Sequence, residues 1–132
     1  MKDAVAVVIK RKGKFLLIKR AKKGAAEDYW CPITGAVEEG ETQKEAVLRE
    51  AQEEMGIGVE PIRKVWECFT EDSDYRLHWW YVQLLNDDVR VDPVEVKDYR
   101  WVDVSEMKAI DKMFKADLWF FKEIAKDLED AD

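Results

Sequence analysis

Residues 35–57 constrain this chain more than any other stretch. A short acidic loop bounded by Gly35 and Gly40 runs into a segment that reads as helix over residues 42–55. Thr42 followed by Glu45 is a capping-box pair, with Thr42 as N-cap and Glu45 at the third helical position. Ala46, Val47 and Ala51 form an apolar stripe among strong helix formers. Gly56 follows where a helix C-terminus favours a left-handed residue. Glu50, Glu53 and Glu54 are spaced three and four apart, so their carboxylates are expected to converge on one face. Like charges at that spacing weaken a helix by a few tenths of a kcal/mol per pair unless a cation offsets them. Carboxylate oxygens suit a hard ion such as Mg²⁺, which takes one or two carboxylates, waters and substrate phosphates. Arg49 adds a fixed positive charge able to orient one carboxylate. The bland alternative is a solvated acidic face on a chain that is 39% charged.

The flanks read mainly as strand. Residues 4–10 (AVAVVIK) and 14–19 (KFLLIK) surround the turn signal Arg11-Lys12-Gly13, which predicts a hairpin. Residues 20–28 read as a loop, and 29–33 as a short strand or bend around Pro32. Residues 59–70, 75–85 and 94–102 read as strands, with turns at 71–74 and 86–88. Residues 111–128 predict an amphipathic helix carrying Met113, Phe114, Leu118, Phe121, Ile124, Ala125 and Leu128 on or near one face. The result is an α+β chain with a mixed sheet and at least two helices. Its 132 residues predict one domain. A net charge of −7 argues against broad binding to nucleic acid or to an anionic membrane, and leaves a small anionic substrate open. The apolar run at residues 4–9 is too short for a signal peptide or a span, and two cysteines make no disulfide framework. A cytoplasmic location is the expectation.

The spacing Gly-x5-Glu-x7-Arg-Glu-U-x-Glu-Glu-x-Gly-U, with U a bulky aliphatic residue, is the Nudix box. Gly35, Glu41, Arg49, Glu50, Glu53, Glu54, Gly56 and Ile57 fill it here, and Ala51 is a smaller residue at an aliphatic position. The chain thus resembles the Nudix hydrolases, MutT-like members included. The resemblance implies an α/β/α sandwich around a mixed β-sheet and hydrolysis of a nucleoside diphosphate linked to another group. It implies Mg²⁺, with Mn²⁺ able to substitute. Glu53 and Glu54 match the metal ligands, and Glu50 a ligand or the general base. Arg49 would orient the glutamates, and Glu41 would support Arg49 and the loop that contains Gly40. The carbonyl of Thr34 or Gly35 would complete the metal shell. Some members take their base from a later loop, where Glu95 and Asp98 are the candidates here.

Substrate contacts are sought outside the box, at Arg20, Trp30, Tyr75 and Trp80, with Lys22, Lys23 and His78 as weaker candidates. Most of the six tryptophans are expected in the core. Ser73 stands where ADP-ribose hydrolases often carry proline, and Tyr75 where diadenosine polyphosphate hydrolases often carry tyrosine. The text around Thr34 is closer to MutT-like enzymes. The favoured reading is a (deoxy)nucleoside triphosphate pyrophosphohydrolase acting on a small nucleotide. The alternatives are a diadenosine polyphosphate, nucleotide-sugar or RNA-end hydrolase, and a non-catalytic Nudix-fold module. The aromatic strand at residues 75–81 is a possible homodimer surface.

Overall fold

The structure is a computed structural model that describes residues 2–70 and 74–130. Its strands are β1 (Lys2–Val8), β2 (Lys10–Arg11), β3 (Lys14–Arg20), β4 (Trp30–Cys31), β5 (Ile33–Ala36), β6 (Gly58–Phe69), β7 (Tyr75–Asn86) and β8 (Val96–Val102). Its α-helices are α1 (Gln43–Met55), α2 (Val104–Met107) and α3 (Lys115–Glu123), followed by a 3₁₀ turn at Ala125–Asp127. One sheet has the order β5-β1-β7-β6. It is mixed, because β1 and β7 run parallel while β1–β5 and β6–β7 are antiparallel. The second sheet joins β2, β3 and β4, with β8 on the other side of β3.

β1 explains the layering. Val5, Val7 and Ile9 face one core with Ile18, Ile33 and Val82, against Val47, Ala51 and Met55 of α1. Ala4, Ala6 and Val8 face a second core with Phe15, Leu17 and Trp79, against Phe120 and Phe121 of α3. A strand covered on both faces reads as a continuous apolar run, and residues 4–9 do. The expected hairpin is shorter than its sequence suggests. Only Lys10 and Arg11 pair with β3, since the chain changes sheets at Ile9 and gives β1 to β5 and β7. Pro32, which has no N–H to donate, separates β4 from β5.

Thr42 caps α1 as expected. Its hydroxyl accepts from the Glu45 amide at 3.1 Å, and the Glu45 carboxylate accepts from the Thr42 amide at 2.9 Å. Gly56 closes the helix at φ 66°. Thr42→Ala is expected to destabilise the protein by about 1 kcal/mol, read as a melting point lower by a few degrees.

Two expectations change. The helix predicted over 111–128 is α3 alone, with Phe114 as its N-cap and a 3₁₀ turn after it. Phe120 is fully buried and stacks on Trp79 at 4.3 Å, which the apolar stripe missed. The strand proposed as a dimer surface lies inside its sheet, paired by β1 on one edge and β6 on the other. The predicted turn at 71–74 and the Ser73 comparison fall almost wholly outside the described residues. No helix among the described residues is long and apolar enough to cross a membrane.

Candidate metal and phosphate site

α1 presents its glutamates to the loop after β5. Gly35, in β5, pairs with Val5 of β1, and the Glu50 carboxylate lies where a Cβ on residue 35 would stand. Glycine here leaves room for the Glu50 carboxylate and is not needed for backbone angle, whereas Gly40 turns the loop at φ 78°. Gly35→Ala is expected to displace Glu50 and cut turnover while α1 remains folded, which far-ultraviolet circular dichroism beside an activity assay would read.

Arg49 organises the acidic residues. Its Nη1 donates to Glu50 at 2.6 Å and to Glu53 at 3.1 Å. Its Nε and Nη2 donate to the two Glu41 oxygens at 2.8 and 3.0 Å, and Nη2 also reaches the Ala36 carbonyl at 2.9 Å. Glu38 adds an ion pair at 3.0 Å. Glu41 returns to the loop by accepting from the Glu38 amide at 3.0 Å. The Arg49 guanidinium, helped by that amide, holds the Glu41 carboxyl at about 2, below its usual 4.5. The folded value is depressed, so this contribution to stability is present above about pH 4.5 and is lost as pH falls toward 2. Glu41→Gln is expected to flatten that part of the acid limb, as urea melts across the range would show.

The three box glutamates lie together on one face and differ in burial. Glu50 and Glu54 come together, and both are largely withdrawn from water, with the Glu50 side chain 12% and the Glu54 residue 4% exposed. Glu53 is drawn to Arg49 and stays 57% exposed. Burial, then the Glu50 carboxylate beside it, pushes the Glu54 carboxyl well above its ordinary range, with Glu95 adding to the effect. Arg49 pairs with Glu50 and not with Glu54, so no cation among the described residues is bonded to the buried Glu54 carboxyl. Among the described residues no three carboxylate, imidazole or thiolate groups form a ready metal cage. An open pair fits a hard ion that keeps waters and substrate oxygens in its shell, and does not fit a closed zinc-type site.

Arg20, at the end of β3, completes the cluster. Its Nη1 lies 3.4 Å from the Thr34 hydroxyl and 4.0 Å from the Cys31 sulfur, and its field reaches Glu54. Cys31 is sealed, and burial pushes its thiol up to about 12, which makes it inert as a nucleophile. Glu95 joins the Glu54 neighbourhood and faces Lys22 at 3.7 Å. Asp98 instead caps the amide of Tyr99 and is exposed. Trp30 is half-buried, with the Arg100 guanidinium 5.5 Å from its ring. Trp80 donates to the Gln43 side chain at 2.9 Å and so pins the start of α1, away from its glutamates. Tyr75 packs into the core on the α3 side of the first sheet, opposite α1. Lys23 is exposed. His78 is buried, 2.8 Å from Asp3 in β1. Asp117, buried on α3 and influenced by Arg20, went unseen in the sequence. The signal was there, because it is an acidic residue on the helical face shared with Phe120 and Phe121.

The comparisons bear on the family and the fold. The family model described as NUDIX domain matches residues 1–123. Nucleoside triphosphatase NudI of Klebsiella pneumoniae is 30% identical over 121 residues, covering 81% of this chain and 85% of that protein. CTP pyrophosphohydrolase of Escherichia coli K12 is 40% identical over 57 residues, covering 43% of this chain. The first curated relatives are matched over only 30% and 42% of their own length. The solved structure of a MutT NUDIX hydrolase from Burkholderia pseudomallei superposes with a TM-score of 0.82 at 21% identity, covering 92% of this chain and 96% of that one. A box complete at every charged and glycine position, set on this fold, makes the chain a member of the Nudix family.

Proposed function

We propose that this protein is a Mg²⁺-dependent Nudix pyrophosphohydrolase that converts a (deoxy)nucleoside triphosphate to its monophosphate and pyrophosphate. The observation that carries the reading is the close Glu50–Glu54 pair, largely withdrawn from water, with the Arg20 guanidinium near enough for its field to act on Glu54. Glu50, Glu53 and Glu54, with the Gly35 carbonyl, would hold the metal, and Mn²⁺ would serve in place of Mg²⁺. When bound, the ion neutralises phosphate charge and lowers the pKa of coordinated water. Arg49 holds Glu50 and Glu53 in position through its fork of donors. Arg20 offers donors to a phosphate oxygen at the edge of the same cluster. Glu50 takes the proton from the attacking water, and Glu95 is the competing base because it shares the Glu54 neighbourhood.

The triphosphate reading is supported by the two relatives named above, one a nucleoside triphosphatase and the other a CTP pyrophosphohydrolase. The diadenosine polyphosphate reading rested on Tyr75, which the first sheet separates from α1. Incubation with a nucleotide panel and Mg²⁺ tests the proposal. The expected products are pyrophosphate and monophosphate from triphosphates. Turnover confined to dinucleotides or nucleotide sugars would move the substrate, and no turnover on any member would favour a non-catalytic module.

A further inference from the structure

The segment between β7 and β8 closes the C-terminal end of α1. The last carbonyls of a helix have no partner within it and take donors from outside. Two donors come from this segment. The Arg90 amide donates to the Met55 carbonyl at 2.8 Å, and the Asp92 amide to the Glu54 carbonyl at 3.0 Å. Gly56 lets the segment in, because a Cβ there would stand 3.0 Å from the Arg90 Cβ and 3.3 Å from its backbone nitrogen and oxygen. The chain then turns. Asp92-Pro93-Val94-Glu95 suits a β-turn, since aspartate at the first position accepts a nearby amide and proline presets the second. The Asp92 carbonyl accepts from the Glu95 amide at 3.1 Å and the Val96 amide at 2.8 Å, and its carboxylate accepts from the Val94 amide at 3.0 Å. Beyond the turn, the Glu95 carbonyl accepts from the Ala21 amide at 3.0 Å, and Val96 is buried in the core under α1. This frame brings the Glu95 carboxylate near Glu54, whose carboxyl it helps to raise. Lys22, which pairs with Glu95 at 3.7 Å, is itself 67% exposed and imposes little geometry. The position of Glu95 is therefore set by the turn.

We propose that Asp92 is a positioning residue for the metal site: its turn holds the Glu95 carboxylate beside Glu54, so that the loop and the end of α1 act as one unit. The Asp92 amide secures the last turn of the helix at Glu54, and its carbonyl secures the amide of Glu95. A carboxylate on a free loop must be ordered when an ion or a substrate arrives. One tied through its neighbours' backbone keeps its charge beside the metal ligand beforehand. The Asp92 carboxylate acts through the Val94 amide, inside the turn. Removing it frees that amide and loosens residues 93–95, while the backbone bond from residue 92 to the Glu54 carbonyl needs no side chain. The helix is therefore expected to stay folded when the turn is loosened.

This inference rests on the metal-dependent reading above, and its test separates it from the triphosphate assignment. Asp92→Ala, Asp92→Asn, Glu95→Gln and the double variant Asp92→Ala/Glu95→Gln are compared with the wild type in two measurements. One is kcat and KM for the triphosphate that the Mg²⁺ nucleotide panel finds fastest. The other is Mn²⁺ affinity by equilibrium dialysis without substrate. Asp92→Ala is expected to lower kcat and Mn²⁺ affinity by about tenfold each, the lower end of the range for groups that orient metal ligands, with KM little changed. Asp92→Asn keeps an acceptor for the Val94 amide and is expected to stay near wild type. With Glu95→Gln in place, Asp92→Ala should cost little more, because both changes act on one carboxylate. An inert Glu95→Gln, losses that multiply in full in both quantities, or Asp92→Asn as impaired as Asp92→Ala would overturn the proposal. So would an Asp92→Ala protein that melts lower yet keeps wild-type kcat and Mn²⁺ affinity, since Asp92 would then serve the turn alone. A wild type that turns over no triphosphate but couples Asp92 to Glu95 in Mn²⁺ affinity would overturn the triphosphate reading and keep this one. Triphosphate turnover with the coupling absent from both quantities would do the reverse.

Discussion

Glu54→Gln is expected to lower kcat by about two to three orders of magnitude, the scale for removing one well-placed electrostatic group, and to weaken the response to Mg²⁺. Stability moves the other way. Glu54 is buried against Glu50, whose partner Arg49 forms no ion pair with Glu54, so a neutral isostere relieves the desolvation of that carboxyl and its contact with Glu50. The metal-free variant is expected to melt no lower than the wild type, while the increase in melting temperature that Mg²⁺ gives the wild type shrinks. Paired melts with and without Mg²⁺, beside single-turnover rates, read both effects. Glu53→Gln is expected to lower turnover as well, with less change in the metal-free melt, because Glu53 is exposed. Near-wild-type turnover in both variants would sink the metal assignment.

Arg49→Met is expected to damage both fold and rate. It leaves Glu38, Glu41, Glu50 and Glu53 without their shared counter-charge and the Ala36 carbonyl without a donor. Removing one partner of a buried ion pair destabilises by about 3–5 kcal/mol. The Arg49 side chain keeps 23% of its surface in water, so a loss of about 2 kcal/mol is the expectation here. Turnover should fall by about 10–100-fold, the range for residues that orient metal ligands. Arg49→Lys should restore little, since one ammonium cannot serve acceptors spread around a planar fork. Full activity and an unchanged urea midpoint in Arg49→Lys would refute this geometry.

The parts of the site legible in the sequence are those set by local spacing. Thr42, Glu45 and Gly56 mark the limits of α1 because capping depends on residues three or four apart. The placement of Arg49 beside Glu50 and Glu53 follows from the helical repeat. The division of labour among the glutamates was not legible. The repeat puts Glu50, Glu53 and Glu54 on one side, but the side chains are sorted by what packs against that side. Gly35 receives Glu50, Glu54 is buried near Arg20 and Glu95, and Glu53 is left to Arg49 and water. Phe120 and Asp117 were missed for a related reason, because an amphipathic pattern gives the direction of a helix face without its depth.

Residues 35–57 thus determined, by themselves, the helix, its caps, the family and the chemistry that a carboxylate cluster can support. Tertiary structure decided which two carboxylates are withdrawn from water, and that Arg20 stands between α1 and α3. It also put Asp117 opposite Glu54 and Tyr75 on the far side of the sheet. The physical reason is range. Capping and helical periodicity act within one turn of chain, whereas desolvation and unpaired polar groups depend on neighbours supplied by strands and helices up to about a hundred residues away.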